Sequence, residues 1–178
     1  MAEDVVSILK NKQITVFVLD PQDFSSHIQT LTKSLVSLSK TICYVSLNKP
    51  GPTIKSDLEK IGVSTEKIYF VDAVSSKVGS TSPDKNVLMV SSPNALTELS
   101  IAINKGIGLW KADVVLFDSL STLLVYEGTS SILKFVHSMT NNLRVKGLSC
   151  VFTILKQDLK EELAKDLGMF ADMIGELG

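Results

Sequence analysis

Asp118 is the carboxylate with the clearest chemical setting. It closes the run Val114-Val115-Leu116-Phe117. Four apolar residues followed by Asp describe a strand whose end presents a carboxylate able to hold magnesium through water, although on the residues alone a carboxylate that caps nearby N–H groups is the commoner role. A second polar group follows an earlier apolar run, in the turn Asp20-Pro21-Gln22-Asp23-Phe24-Ser25-Ser26-His27. In open α/β sheets a phosphate sits at such a turn, beyond the carboxyl ends of the strands. It needs glycines for close backbone approach, a lysine for charge and a Ser or Thr for the metal. Residues 20–27 contain no glycine and no lysine. Asp20 and Asp23 place negative charge where an anion would sit, and Pro21 removes a backbone donor. Asp23 or Ser25 can cap the next helix and take up the N–H groups a phosphate would use. Ser26 and His27 complete this turn. His27 and His137 each lie in a helical pattern with no Cys, His or Asp cluster, so neither is expected to catalyse or bind metal. Ser119 and Ser121 lie in no Gly-x-Ser-x-Gly elbow, which argues against a serine hydrolase.

Alternating strand and helix patterns position these residues. A lead-in helix is expected over 3–11. Apolar, β-branched runs predict strands near 14–19, 42–47, 68–72, 87–91, 113–118 and 149–155, with a short edge strand at 173–177. Helical spacing of Ile28, Leu31, Leu35 and Leu38 marks the helix after the first strand. Thr53 is expected to cap a helix carrying Ile54, Leu58 and Ile61, which Gly62 ends. Ser92 followed by Pro93 reads as an N-cap and first helical position for a helix carrying Leu96, Leu99, Ile103 and Ile107. Another helix covers 129–146, and Leu159, Leu163 and Leu167 mark the last. Residues 73–86 form the one long polar loop and are expected to be mobile. Repeated βα units with doubly apolar strands imply an α/β fold: a three-layer α/β/α sandwich on a mostly parallel central sheet, as one domain over residues 1–178.

Composition narrows the function classes. The chain has 178 residues, 44 % of them hydrophobic and 21 % charged, with net charge -1. That is globular, and it supplies no whole-protein positive field to attract nucleic acid. Arg144 is the only arginine, which weighs against a dedicated phosphate reader. Cys43 and Cys150 sit inside apolar runs and read as buried thiols. The acidic start Met1-Ala2-Glu3-Asp4 has no signal-peptide layout, and no apolar run approaches the roughly 18 residues of a membrane span. A cytoplasmic location is the expectation.

The stretch from Val114 through Asp118 and Ser119 to Tyr126 resembles the Walker B segment of RecA-superfamily ATPases of the KaiC type, especially their archaeal relatives. Leu133-Lys134-Phe135-Val136-His137 and the closing Phe170-Ala171-Asp172-Met173-Ile174-Gly175-Glu176-Leu177 are similar too. Tyr44-Val45-Ser46-Leu47 and Tyr69-Phe70-Val71-Asp72 resemble that family's second and third strands. The resemblance covers nearly the whole chain in order and implies a RecA-like P-loop NTPase fold. It also places the family's phosphate loop on residues 20–27, where its glycines and lysine are missing. The family's catalytic glutamate pair falls on Asn48 and Lys49, and neither is a carboxylate base. The resemblance thus implies a pseudo-ATPase with Asp118 left from the catalytic centre, and no cofactor is expected. Three roles follow in order of preference. The first is an interaction or regulatory module that assembles with itself or with an active RecA/KaiC-like ATPase. Its contacts would come from the apolar run 120–126, above all Leu124 and Tyr126, with Trp110. The second is a ligand binder that uses Asp118 and Lys49. The third is a nucleic-acid accessory protein, favoured only if lysines at 77, 85, 105 and 111 cluster on folding.

Overall fold

The computed structural model describes residues 2–78 and 84–177. Its centre is a seven-stranded, all-parallel sheet of order β4-β3-β2-β5-β6-β1-β7. The strands are β1 (Ile14–Leu19), β2 (Ile42–Ser46), β3 (Ile68–Asp72), β4 (Val87–Met89), β5 (Val114–Asp118), β6 (Ser149–Leu155) and β7 (Met173–Leu177). The helices are α1 (Ala2–Asn11), α2 (Phe24–Leu38), α3 (Gly51–Lys60), α4 (Leu96–Trp110), α5 (Leu120–Tyr126), α6 (Thr129–Val145) and α7 (Glu161–Gly168). Among the described residues no helix is long and apolar enough to cross a membrane.

Strand alternation splits the core into two layers. Phe17, Leu19, Tyr44, Phe70 and Leu116 pack with α1, α2 and α3 on one face. Val16, Val18, Val45, Phe117 and Phe152 pack with α4 to α7 on the other. Each fully buried Leu, Ile or Phe contributes about 1.5–3 kcal/mol, and β1, β2 and β5 are buried at every position. The register sets Cys43 opposite Val115 and Val115 opposite Cys150, so one strand separates the two thiols. Both cysteines are fully buried, and burial pushes the Cys43 thiol up to about 12.

Several local expectations are corrected. The mostly parallel sheet read from the sequence is borne out, while the strands predicted over 42–47 and 87–91 end at Ser46 and Met89. The helix at 51–60 starts at Gly51 behind Pro50, so Thr53 lies inside its first turn rather than capping it. Gly51 packs flat on Phe70, where an added Cβ would come within 2.9 Å of the ring. Ser92 and Pro93 belong to a turn, and α4 begins later, at Leu96. Residues 120–126, read as an apolar run, fold into the short helix α5. In the loop expected over 73–86, Ser75–Val78 forms a 3-10 turn, and residues 79–83 lie outside the described residues.

Candidate functional site

All seven strands run the same way, so Asp20, Asn48, Asp72 and Asp118 all gather at the carboxyl edge of the sheet. β5 lies beside β2, and the register sets Ser46 opposite both Asp118 and Asp72. Three polar side chains thus stand side by side on β3, β2 and β5, and all are buried.

Asp118 is 4 % exposed. Tyr44 Oη donates to its Oδ2 at 2.7 Å and Asn48 Nδ2 donates to its Oδ1 at 3.0 Å. Thr122, on α5, donates its hydroxyl to the Asn48 carbonyl. Both oxygens of the carboxylate therefore have donors from the chain itself. Burial pushes the Asp118 carboxyl above its ordinary range, opposed by the bonds from Tyr44 and Asn48 and by the nearby Lys49 charge. The Asp118–Ser119 peptide is cis. Ser119 is buried at the start of α5, and Ser121 accepts a hydrogen bond from the Leu155 amide at 2.8 Å, tying α5 to β6.

Asp72 is a second buried carboxylate with a structural task. Its Oδ2 accepts from the Gly51 amide at 2.7 Å and the Ser75 hydroxyl at 2.6 Å. Its Oδ1 accepts from the amides of Val74 and Ser75. This fixes the start of α3 and the turn after β3. Ser46 Oγ, between the two carboxylates, has no partner among the described residues.

The first turn is short. Only residues 20–23 separate β1 from α2, fewer than the roughly six residues that run from glycine to glycine in a phosphate loop. Asp20 and Asp23 are exposed there, and Asp20 Oδ1 accepts from the Gln22 amide at 2.9 Å. Asp23 occupies the N-cap position of α2 without a side-chain cap bond, and Ser25 lies within the helix. Ser26 Oγ donates to the Asp23 carbonyl at 2.8 Å. His27 is 5 % exposed, deeper than a helix-start histidine usually lies, and its Nδ1 has no partner among the described residues. Lys49 pairs with Asp57 at 3.4 Å. Phe24, Ile28, Tyr44, Lys49, Ile54 and Asp118 line a cavity of about 70 Å³ between α2 and α3. Among the described residues no group of three His, Cys, Asp or Glu side chains is placed to hold a metal ion.

The remaining expected residues lie elsewhere. Tyr126 is half-exposed at the end of α5, beside exposed Val125. Leu124 is partly buried against the core, while Leu120 and Leu123 belong to it. Trp110 stacks on Tyr69, ring centroids 5.1 Å apart, and covers Gly106. It is therefore held by the protein's own packing. His137 is exposed, against Phe170 and Asn141. Tyr44 was not singled out from the sequence. Its signal was a phenol inside a wholly buried strand, which must find a hydrogen-bond partner.

The fold is that of RecA/KaiC-like proteins. The chain is similar to the KaiC-like protein PH0186 from the hyperthermophilic archaeon Pyrococcus horikoshii OT3, with a TM-score of 0.64 at 12 % identity over 93 % of this chain and 72 % of that one. It is also similar to the flagellar accessory protein FlaH from Methanocaldococcus jannaschii, with a TM-score of 0.59 at 12 % identity over 92 % of this chain and 70 % of that one. No curated protein sequence matches it. The model of one protein family covers residues 21–177, and the chain belongs to that family, a family of unknown function (DUF7504).

Proposed function

We propose that this chain is a catalytically inactive RecA/KaiC-like domain that serves as an interaction or regulatory module, by assembling with itself or with an active ATPase of the same fold. The observation that carries this reading is the state of Asp118. A carboxylate that holds magnesium through water needs a free oxygen facing solvent. Here both oxygens accept from Tyr44 and Asn48 within a buried layer. The degenerate phosphate loop supports the same reading, since Asp20 and Asp23 lie exposed where phosphate charge would arrive. The half-exposed Tyr126 with Leu124 offers a first contact surface at this edge.

A binder of a nucleotide or other small ligand is the second reading. The cavity beside Asp118 and Lys49 favours it, but at about 70 Å³ it is far smaller than typical ligand sites of about 300–1,000 Å³. Calorimetry with Mg-ATP and a phosphate-release assay test the choice. No turnover above background and no heat of binding are expected. Micromolar affinity for Mg-ATP would move the protein to the second reading. A pull-down from the native host, read by mass spectrometry, identifies an ATPase partner.

A further inference from the structure

Charge is sorted by strand end. Each of the first six strands is preceded within three residues by a lysine: Lys12, Lys40, Lys67, Lys85, Lys111 and Lys146. Because the sheet is wholly parallel, these lysines gather at its amino edge, and all six are exposed. The acidic residues at that edge are largely engaged in holding backbone. Asp84 accepts from the Asn86 amide, Asp113 from the amides of Lys40 and Thr41, and Asp172 from Gln13, Ile14 and Arg144. Glu66 is exposed there.

The helices that follow the strands also end at this edge, and they end on uncovered apolar side chains. Ile61 after α3, Leu109 in α4, Val145 in α6 and Met169 after α7 are all exposed, Val145 by 90 %. Lys60 and Lys146 are next to Ile61 and Val145 in sequence, and Lys111 is two residues from Leu109. Hydrogen bonds from Asn142 and Lys146 to Asn104 bring the ends of α4 and α6 together.

The carboxyl edge carries the opposite pattern. A groove of about 860 Å³ opens there between α6 and α7 and runs along them as far as Phe170. Leu124, Leu133, Leu163 and Phe170 give it apolar walls, and Glu127, Asp158, Glu162 and Asp166 outnumber Lys134 and Lys160 among its charges. Exposed Val125 and Tyr126 stand beside it.

We infer that a second copy of this chain docks its lysine-lined amino edge, led by Leu109 and Val145, on the acidic groove at the carboxyl edge of the first. This inference rests on the interaction-module reading and deepens it by naming partner and surfaces. The lysine-lined tips and the mouth of the groove lie at opposite ends of one parallel sheet. The contact is therefore head-to-tail, and each copy keeps one free end for the next. Apolar tips in an apolar groove supply affinity, and the charged rims supply orientation and speed of encounter.

Sedimentation velocity on the whole chain over a concentration series tests this at low and high salt. The wild type should associate, more weakly as salt rises. The pair K111E/K146E and the pair D158K/E162K should each weaken self-association by about tenfold or more. Growth beyond a dimer with concentration distinguishes head-to-tail docking from a two-fold contact, and two recoveries test the pairing of lysine edge with groove. An equimolar mixture of the two variants should pair again, since each keeps one intact edge. The quadruple variant, with both edges inverted, should associate with itself. Circular dichroism confirms folding, and V145D replaces the lysine pair if that pair does not fold. Association unchanged by both pairs, or no recovery in the mixture and the quadruple variant, overturns the inference while self-assembly as such stands. A strictly monomeric wild type overturns it too, and the module reading then rests on the pull-down of an ATPase partner. Salt-sensitive binding of the lysine edge to phosphatidylserine vesicles or duplex DNA, without self-association, also overturns it, in favour of a polyanion-binding face.

Discussion

Replacing Tyr44 by Phe is the sharpest probe of the closed carboxylate. The ring is fully buried and packs 5.4 Å from Phe70 between centroids, so Phe keeps the packing and removes only Oη. Asp118 then keeps one of its two side-chain donors, Asn48. A buried hydrogen bond to a charged group contributes about 1.5–3 kcal/mol. For a chain of this size that is a fall in Tm of about 3–12 °C. The pH dependence gives a second constraint. Burial raises the Asp118 pKa in the folded state, so between the unfolded value near ~3.9 and the folded value the native protein binds more protons than the unfolded chain. Stability from this group therefore falls as pH rises through that window. Tyr44 opposes the shift, so its loss raises the folded pKa further and steepens the fall. Urea titrations of Y44F at a series of pH values should show a penalty that is smallest at the acid end, where the folded-state Asp118 carboxyl is protonated, and that grows as pH rises through the folded value. A penalty below about 0.5 kcal/mol at neutral pH, or one that grows on acidification, would refute this account of the Asp118 network.

Three further substitutions probe other parts of the structure. Asp172 anchors the start of β7 through the amides of Gln13 and Ile14 and a 2.8 Å ion pair with Arg144, so D172A should cost about 2–4 kcal/mol in urea unfolding at pH 7. Burial raises the Asp172 carboxyl, but Arg144 and the two amides outweigh it and hold it below its usual range; the cost should shrink as pH falls below the unfolded value near ~3.9, and a pH-independent cost would contradict the assignment. At the α5 end, Y126E should melt within about 0.5 kcal/mol of wild type, whereas L124D should lose about 1–3 kcal/mol because Leu124 packs on the core. Equal losses in the two variants would show that Tyr126 belongs to the core as well.

The strands were legible because a strand buried on both faces leaves an unbroken apolar signature, as in Ile14–Leu19 and Val114–Asp118. Gly62 was legible as a helix stop, and it takes a positive φ that glycine adopts without steric cost. α5 was hidden because Leu123, Leu124 and Val125 are consecutive apolar residues, which no amphipathic spacing separates into faces. The start of α4 was misplaced because Pro93 is buried in a turn, where its fixed φ serves equally well. At the candidate site, sequence pointed to Asp118 and to the edge it occupies. It did not point to Tyr44 and Asn48 as its partners. Their bonds depend on β5 inserting beside β2, a neighbour relation between segments some seventy residues apart in the chain. No local pattern records that relation.

The thiol register has a consequence for redox chemistry. Two strand spacings of about 4.8 Å put the cysteines of β2 and β6 beyond the roughly 7 Å Cα separation that a disulfide tolerates. Moreover, a thiol whose pKa is near 12 is almost wholly protonated at neutral pH and makes a poor nucleophile. The native domain therefore behaves the same in oxidising and reducing surroundings. Only an unfolded chain can join Cys43 to Cys150, and that cross-link is incompatible with the sheet. Oxidation thus traps molecules that have already opened until a reductant releases them, and a non-native disulfide becomes a chemical record of unfolding.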